Sequence, residues 1–321
     1  MKKKILIIGG APNSINSEII FKSWKKISNA TRGKIYLISN YDLINDQFKK
    51  LRFSIKLKKV VSLNDECQNN SLKIIDVPVK FKDPFKVSKK NSSNLVLSSL
   101  KLAHKLCLLD KNVLGIINCP IDKTLLKKNN MGVTEFLANL CKIKKHSEVM
   151  LLKGKKISVT PITTHIDLKQ VSKNIKSKII FKKILTLHNC FKNEFRKKPK
   201  ICILGLNPHN AELKYNSVEK KIIIPTIKKL NRVGIIISGP YPADTIFIDE
   251  YKKFDVIVGM YHDQILPAFK ALCKFDAINI TLGLKYLRVS PDHGVGKQII
   301  NKNKANPLSL INCINFFDKL S

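Results

Sequence analysis

Short apolar runs alternate along this chain with longer stretches whose apolar positions recur at helical spacing. The runs at 4–10 (KILIIGG), 34–39 (KIYLIS), 72–78 (LKIIDVP) and 113–120 (VLGIINCP) predict strands. So do 156–165 (KISVTPITTH), 200–209 (KICILGLNPH), 233–244 (VGIIISGPYPAD), 254–263 (FDVIVGMYHD) and 277–283 (AINITLG). Between them, 13–27, 41–51, 92–112 and 177–195 carry the helical period, and 306–320 closes the chain as a helix opened by Asn306-Pro307. The segment 219–230 (EKKIIIPTIKKL) predicts a helix perturbed by its proline. Strands alternating with helices of ten or more residues define α/β units around a largely parallel sheet. No internal repeat, low-complexity tract or Pro/Gly/Ser-rich linker divides the chain, so any domain split arises from folding and not from a tether.

Length and composition narrow the class. The 321 residues, 44% of them hydrophobic, suffice for one large domain or two modest ones. No apolar run approaches the roughly 18 residues of a membrane span. The start, MKKKILIIGGAP, has a basic tip, but its apolar stretch Ile5–Ile8 is shorter than the roughly 7–15 residues of a signal-peptide core, so it predicts a first strand of a cytoplasmic protein. Eight scattered cysteines (Cys67, Cys107, Cys119, Cys141, Cys190, Cys202, Cys273, Cys313) form no C-x-x-C pair and mostly lie in apolar runs. They predict buried free thiols in a reducing compartment, not a cysteine zinc site or a disulfide framework.

The formal net charge is +36. Its lysines are spread along the whole chain, and aromatics do not alternate with basic residues as a stacking platform requires. Solvated lysine faces account for the excess better than nucleic-acid binding does, although the charge would steer anionic substrates.

Three of the seven histidines share one context: His165, His209 and His262 each follow an apolar strand and a turn-forming residue. In open α/β sheets ligands gather outside the carboxyl ends of strands. Three neutral imidazoles with an open position are one way to hold a catalytic divalent metal. Asp244 in GPYPADT and Asp263 beside His262 are placed to orient imidazoles. A structural role for each histidine is the alternative. His104 and His188 fall in helical patterns and His146 in a basic stretch, which predicts structural or exposed roles. Lys270, Asn279 and Arg288 could grip an anionic substrate, Arg288 through its planar fork. Thr134, beside Glu135 at an apparent helix start, reads more readily as a helix N-cap than as a ligand. No G-x-G-x-x-G or G-x-x-x-x-G-K-[ST] pattern occurs, which disfavours a Rossmann-type NAD site. The loop opening at His293-Gly294 and ending near Asn306 is a candidate nucleotide holder.

Taken together, GLNPHNAE, GPYPADTIF, GMYHDQILPAFK, INITLGLKYLRVSPDHG and NCPIDK…MGVTEFLA resemble the motifs of the 4-hydroxythreonine-4-phosphate dehydrogenase family of the vitamin B6 pathway, from about residue 115 to 310. The resemblance implies an isocitrate/isopropylmalate-dehydrogenase-like α/β fold of two domains with a cleft between them. It divides the chain into a discontinuous first domain, 1–128 plus 290–321, on the cofactor side, and a second, 129–289, carrying the metal ligands and the dimer contact. It implies a homodimer whose active site is shared between subunits, NAD or NADP, and one divalent metal (zinc, magnesium, manganese or cobalt). By motif position His165, His209 and His262 match metal ligands. Thr134, Lys270, Asn279 and Arg288 match substrate contacts, Asp244 and Asp263 the supporting carboxylates, and His293, Gly294 and Asn306 the adenosine-side loop. The implied reaction oxidises 4-phosphohydroxy-L-threonine to a β-keto acid that loses CO2.

The chain departs from the family pattern at three places. Val133 stands where a histidine usually precedes the Thr-Glu pair, GAPNSINSE replaces a loop of the type G-D-P-A-G-I-G-P-E, and the glycines after NPHNAE are absent although Glu219 is kept. A dehydrogenase of another four-carbon acid phosphate, of the threonate or erythronate phosphate type, would share the same core. A metal-dependent phosphometabolite hydrolase could use the same three histidines on water.

Overall fold

The computed structural model describes residues 3–65, 70–126, 132–143, 147–274 and 276–321; Cys67, His146 and Met131 of the MGVTEFLA motif lie outside them. The chain divides into two compact units, Met1–Lys142 with Leu284–Ser321, and Ile143–Gly283.

In the first unit the strands are β1 (Lys4–Ile8), β2 (Ile35–Ser39), β3 (Lys56–Val60), β4 (Ser71–Asp76), β5 (Val113–Asn118) and, from the chain's end, β12 (Leu287–Pro291). Its helices are α1 (Asn16–Lys26), α2 (Asn29–Arg32), α3 (Tyr41–Lys50), α4 (Lys89–Leu109), α5 (Val133–Leu140) and α11 (Leu308–Asp318). The strands run β3-β4-β2-β1-β5-β12, and every pair is parallel. Each residue of β1 and β2 is buried, because helices cover both faces of a parallel sheet and its strands become continuous apolar runs. β3 (KLKKV) is the exception: an edge strand, mostly exposed, with lysines blunting its free edge. Its polar sequence carried no strand signal.

The second unit contains β6 (Val149–Gly154), β7 (Ser158–Thr163), β8 (Ile201–Leu204), β9 (Ile237–Tyr241), β10 (Val256–Tyr261) and β11 (Ala277–Leu282). Its helices are α6 (Leu168–Asn174), α7 (Ser177–Glu194), α8 (Ile224–Arg232), α9 (Ala243–Ile246) and α10 (His262–Cys273). The order is β11-β6-β7-β10-β8-β9; β6 is antiparallel to both neighbours, and β7, β10, β8 and β9 are mutually parallel. The proline expected to perturb 219–230 does so: Glu219–Ile223 forms a wide π-turn, and Pro225 falls in the first turn of α8, where its missing N–H costs nothing.

The unit boundaries differ from the expected 128/129 and 289/290. Helix α5 joins the first unit, where Leu137 is buried in its core and Val133, Phe136 and Leu140 pack against it. β12 joins it too, because Leu287, Arg288 and Val289 pair with β5. The described cysteines are all free. Among the described residues no helix is long and apolar enough to cross a membrane.

Candidate active site

The four mutually parallel strands of the second unit end on the residues singled out in the sequence. Just beyond β7 is His165, beyond β10 are His262 and Asp263, beyond β8 is His209, and beyond β9 is Asp244. Strand polarity therefore sends all five to one end of the unit, where open α/β sheets place their ligands. His262 follows β10, as expected, and opens α10.

β7 and β10 are neighbours, and the rings of His165 and His262 lie 5.7 Å apart between centroids. His262 Nδ1 is 2.5 Å from Asp263 Oδ1. That contact suits the Nδ1–H tautomer, whose Nε2 lone pair faces away from the carboxylate, as with a carboxylate behind a metal-binding imidazole. Beside them opens a cavity of about 290 Å³ lined by Thr164, His165, Leu168, Tyr261, His262 and Asp263.

His209 is delivered differently. It stands exposed on a turn in which His209, Asn210, Ala211, Glu212 and Leu213 all have φ between 47° and 56°. Left-handed backbone at non-glycine residues costs on the order of 1 kcal/mol apiece, so the surroundings must hold it. Among the described residues no group of three His, Cys, Asp or Glu side chains is arranged to hold a metal ion. Two imidazoles are together, and they fit half of the donor set of a divalent cation; His209 is on the next strand but one from His165, with β10 between.

The ground before His209 is firmly held by two residues whose roles were not read from the sequence. Glu219, fully buried, takes the N–H groups of Leu206 and Asn207 on Oε1, each at 2.8 Å. Burial pushes its carboxyl up, but those N–H groups and its own outweigh burial and hold it below the usual value. Gln264 donates from Nε2 to the Gly205 carbonyl at 2.6 Å and accepts the Met260 N–H on Oε1 at 2.7 Å. Gln264 lay in plain view in the YHDQ motif, but its partner Gly205 is 59 positions away and invisible to local pattern.

Of the expected substrate residues, the first unit brings two together. Arg288, buried on β12, donates from Nε to Asn118 Oδ1 at 2.5 Å and from Nη1 to Thr134 Oγ1 at a long 3.5 Å. Burial lowers its guanidinium to about 10, against the pull of Cys313 and Glu135. Thr134 is not the N-cap expected of it: Gly132 occupies that position and Thr134 lies within the first turn, its hydroxyl turned to Arg288. In the second unit Lys270 is half-buried on α10, and Asn279 sits on β11 opposite Leu152 with its Oδ1 buried and, among the described residues, lacking a hydrogen-bond partner. Asp244 and Asp263 are exposed.

The candidate nucleotide loop belongs to the first unit. His293 Nδ1 lies 3.0 Å from the Gly294 carbonyl, while its Nε2 is buried and, among the described residues, unpartnered; a Cβ on Gly294 would face open space. Such an orphaned donor or acceptor beside an open backbone fits a polar ligand edge. Asn306 uses Oδ1 to accept the Leu308 N–H at the start of α11. The loop's return is fastened to α1: buried Glu18 accepts the Ala305 N–H and Lys22 Nζ on Oε1, both at 2.7 Å, and Lys22 also donates to the Asn303 and Ala305 carbonyls at 3.0 Å. On its other side Lys297 pairs with Asp122 at 2.7 Å. Glu18 had only its place in a helix's first turn as a signal.

Fold and strand-end residues together define an α/β protein of the isocitrate-dehydrogenase-like class, and a β-decarboxylating dehydrogenase from Thermococcus kodakarensis shares that fold (TM-score 0.50, 8% identity, 99% of this chain and 83% of that one). Within the class, the model of the family described as pyridoxal phosphate biosynthetic protein PdxA matches residues 31–317. A 4-hydroxythreonine-4-phosphate dehydrogenase from Sulfurihydrogenibium sp. (strain YO3AOP1) is 37% identical over 97% of this chain and 96% of its own length. The crystal structure of a protein of that name from Klebsiella pneumoniae superposes with a TM-score of 0.87 at 26% identity, covering 99% of both chains. The chain belongs to the PdxA family, an oxidoreductase family of pyridoxal phosphate biosynthesis.

Proposed function

We propose that this chain oxidises 4-phosphohydroxy-L-threonine with NAD or NADP and one divalent cation, as a cytoplasmic homodimer whose active site is shared between subunits. The product is a β-keto acid that decarboxylates to 3-amino-2-oxopropyl phosphate. The observation that carries this reading is the imidazole pair His165 and His262 on adjacent parallel strands, with Asp263 behind one of them, in a chain of this family.

His165, His262 and, from the neighbouring turn, His209 would hold the cation. When bound, the cation polarises the secondary hydroxyl of the substrate and the nicotinamide ring accepts hydride. The rest falls to the chain's own side chains. Asp263 would keep the proton of His262 on Nδ1, so that the Nε2 lone pair is free to ligate the cation. Arg288 is buried with its fork braced by Asn118 and Thr134, which suits one planar face of a phosphate or carboxylate. On the second unit Lys270 and Asn279 offer a charge and an amide of their own to an anion, and fixing an anion fixes the carbon from which hydride leaves. His293, Gly294 and Asn306 offer polar edges to the dinucleotide. Asp244, Asp263 or water takes the hydroxyl proton.

The test is an assay of purified protein with 4-phosphohydroxythreonine, threonate phosphate and erythronate phosphate, each with NAD or NADP and with zinc, magnesium, manganese or cobalt. Growth of the reduced-nicotinamide absorbance with the first substrate supports the proposal. Reduction only with another acid phosphate moves the substrate. Phosphate release without reduction replaces the dehydrogenase with a hydrolase.

A further inference from the structure

The candidate nucleotide loop of the first unit returns through the alternating sequence Asn301-Lys302-Asn303-Lys304. Asn301 and Asn303 take left-handed backbone, at φ 62° and 53°, a region that asparagine enters more readily than most side chains. Lys302 and Lys304 stand beside these kinks and are exposed. The backbone that carries them is fastened. The Lys302 N–H donates to the Ile299 carbonyl at 3.2 Å, Lys22 Nζ donates to the Asn303 and Ala305 carbonyls at 3.0 Å, and Glu18 accepts the Ala305 N–H at 2.7 Å.

Charge around the loop is one-sided. From His293 to Ser321 the only carboxylate side chain in the sequence is Asp318, and it is engaged by Lys34 at 2.7 Å and by the Thr31 hydroxyl at 3.0 Å. The carboxylates that reach the loop from elsewhere are committed as well: Glu18 to Lys22 and the Ala305 N–H, Asp122 to Lys297. Asp292, at the head of the loop, stands toward α11. Its N–H donates to Ser309 Oγ at 3.0 Å, and its charge adds to the rise that burial and then Cys119 impose on the Cys313 thiol. Lys302 and Lys304, by contrast, make no ion pair among the described residues.

The two nicotinamide dinucleotides differ at the adenosine ribose, which carries a 2′-hydroxyl in NAD and a 2′-phosphate in NADP. A site for the first sets a carboxylate to accept from the hydroxyl, and that carboxylate repels the phosphate; a site for the second supplies cations instead. Among its described residues this loop has the cations and no uncommitted carboxylate. Lysines are common on this chain, but these two stand on backbone that is already held, so less ordering entropy is lost when an anion meets them.

We propose that Lys302 and Lys304 bind the 2′-phosphate of the dinucleotide, so that the chain prefers NADP to NAD. The proposal rests on the reading of the 293–306 loop as the adenosine side of the cofactor site.

The experiment is binding without turnover: the fluorescence of NADPH and of NADH titrated with the purified full-length protein, at low and at high salt. NADPH binds at least about 10-fold tighter, the yield of one or more charge-assisted contacts, and the gap narrows at high salt. Adenosine 2′,5′-bisphosphate displaces NADPH better than adenosine 5′-monophosphate does. Replacing both lysines, Lys302→Gln with Lys304→Gln, lowers NADPH affinity about 10-fold and leaves NADH affinity within about twofold. Equal affinities or a preference for NADH in the wild type overturn the proposal. So does a double variant that keeps the gap or weakens both dinucleotides alike. A wild-type protein that binds neither dinucleotide overturns the reading of the loop and the proposal with it, a result distinct from the others.

Discussion

The two units furnish the carboxyl ends of their parallel strands in opposite ways. In the first unit Asn16 and Arg288 are buried there and hydrogen-bonded to groups at the strand ends. Asn16 donates to the Gly9 and Pro120 carbonyls at 2.9 and 2.8 Å, and Arg288 is fixed by Asn118. In the second, His209, Asp244 and Asp263 are exposed, and the bonding lies behind them, on Glu219 and Gln264. A buried guanidinium has its desolvation cost met in advance by its neighbours and is ready for an anion. Exposed imidazoles and carboxylates can stay apart in water and converge only when a cation repays their approach. On the proposed function, the contrast would set a buried anion contact in the first unit against exposed cation ligands in the second.

The largest blow to that contrast comes from His262→Ala or His209→Ala. Polarisation by a cation contributes several kcal/mol, so turnover falls on the order of a thousandfold. Bound-metal stoichiometry falls with it, while circular dichroism is unchanged. Loss of turnover with metal retained would leave the histidines contacting substrate alone.

Arg288→Lys attacks the other side. A lysine cannot keep a bond to Asn118 and offer a two-pronged face, so KM for the substrate rises about 10–100-fold with a smaller change in kcat. If the variant only melts earlier, Arg288 braces the first unit and the buried anion contact is lost from the comparison.

What the sequence showed, and where it failed, divides along the same physical line. KILII and IYLIS were legible because parallel strands buried on both faces are unbroken apolar runs. KLKKV was not, because an edge strand is selected for lysine against pairing and not for burial. Helix α10 hid behind Pro267 and the histidine-aspartate pair, although Ile265, Leu266, Phe269 and Cys273 mark its buried face. The placement of His165, His209 and His262 beyond strands could be read because the apolar run simply stops there. What holds them could not: Glu219 and Gln264 act through loops distant in sequence, and Thr134 was mistaken for a cap because a hydroxyl at a helix start serves either role.

A milder test concerns the loop that carries His293 and Asn306. Glu18→Gln can still accept the Ala305 N–H but leaves Lys22 without its carboxylate. The expected outcome is a rise of about fivefold in KM for the dinucleotide at constant kcat, the ~1 kcal/mol by which a charged acceptor exceeds a neutral one. Faster amide exchange across 296–306 accompanies it. An unchanged exchange pattern would mean that α1 does not fasten the loop.

The smallest effect belongs to the opposite anchor of that loop. The Lys297 ammonium, the Thr124 N–H and then the Thr124 hydroxyl hold the Asp122 carboxyl down at about 2, against some burial. A carboxyl depressed in the folded state favours folding at every pH above its unfolded value near 4, and that contribution disappears as pH falls from about 4 to about 2. Lys297 is largely exposed, so the pair contributes only about 0.5–1 kcal/mol, less in high salt. Asp122→Asn should therefore leave the denaturant midpoint slightly lower at neutral pH and converge on the wild type near pH 2, flattening the acid limb within that window alone. Parallel acid limbs for the two proteins would place the anchor elsewhere, leaving Glu18 and Lys22 to hold the loop from one side.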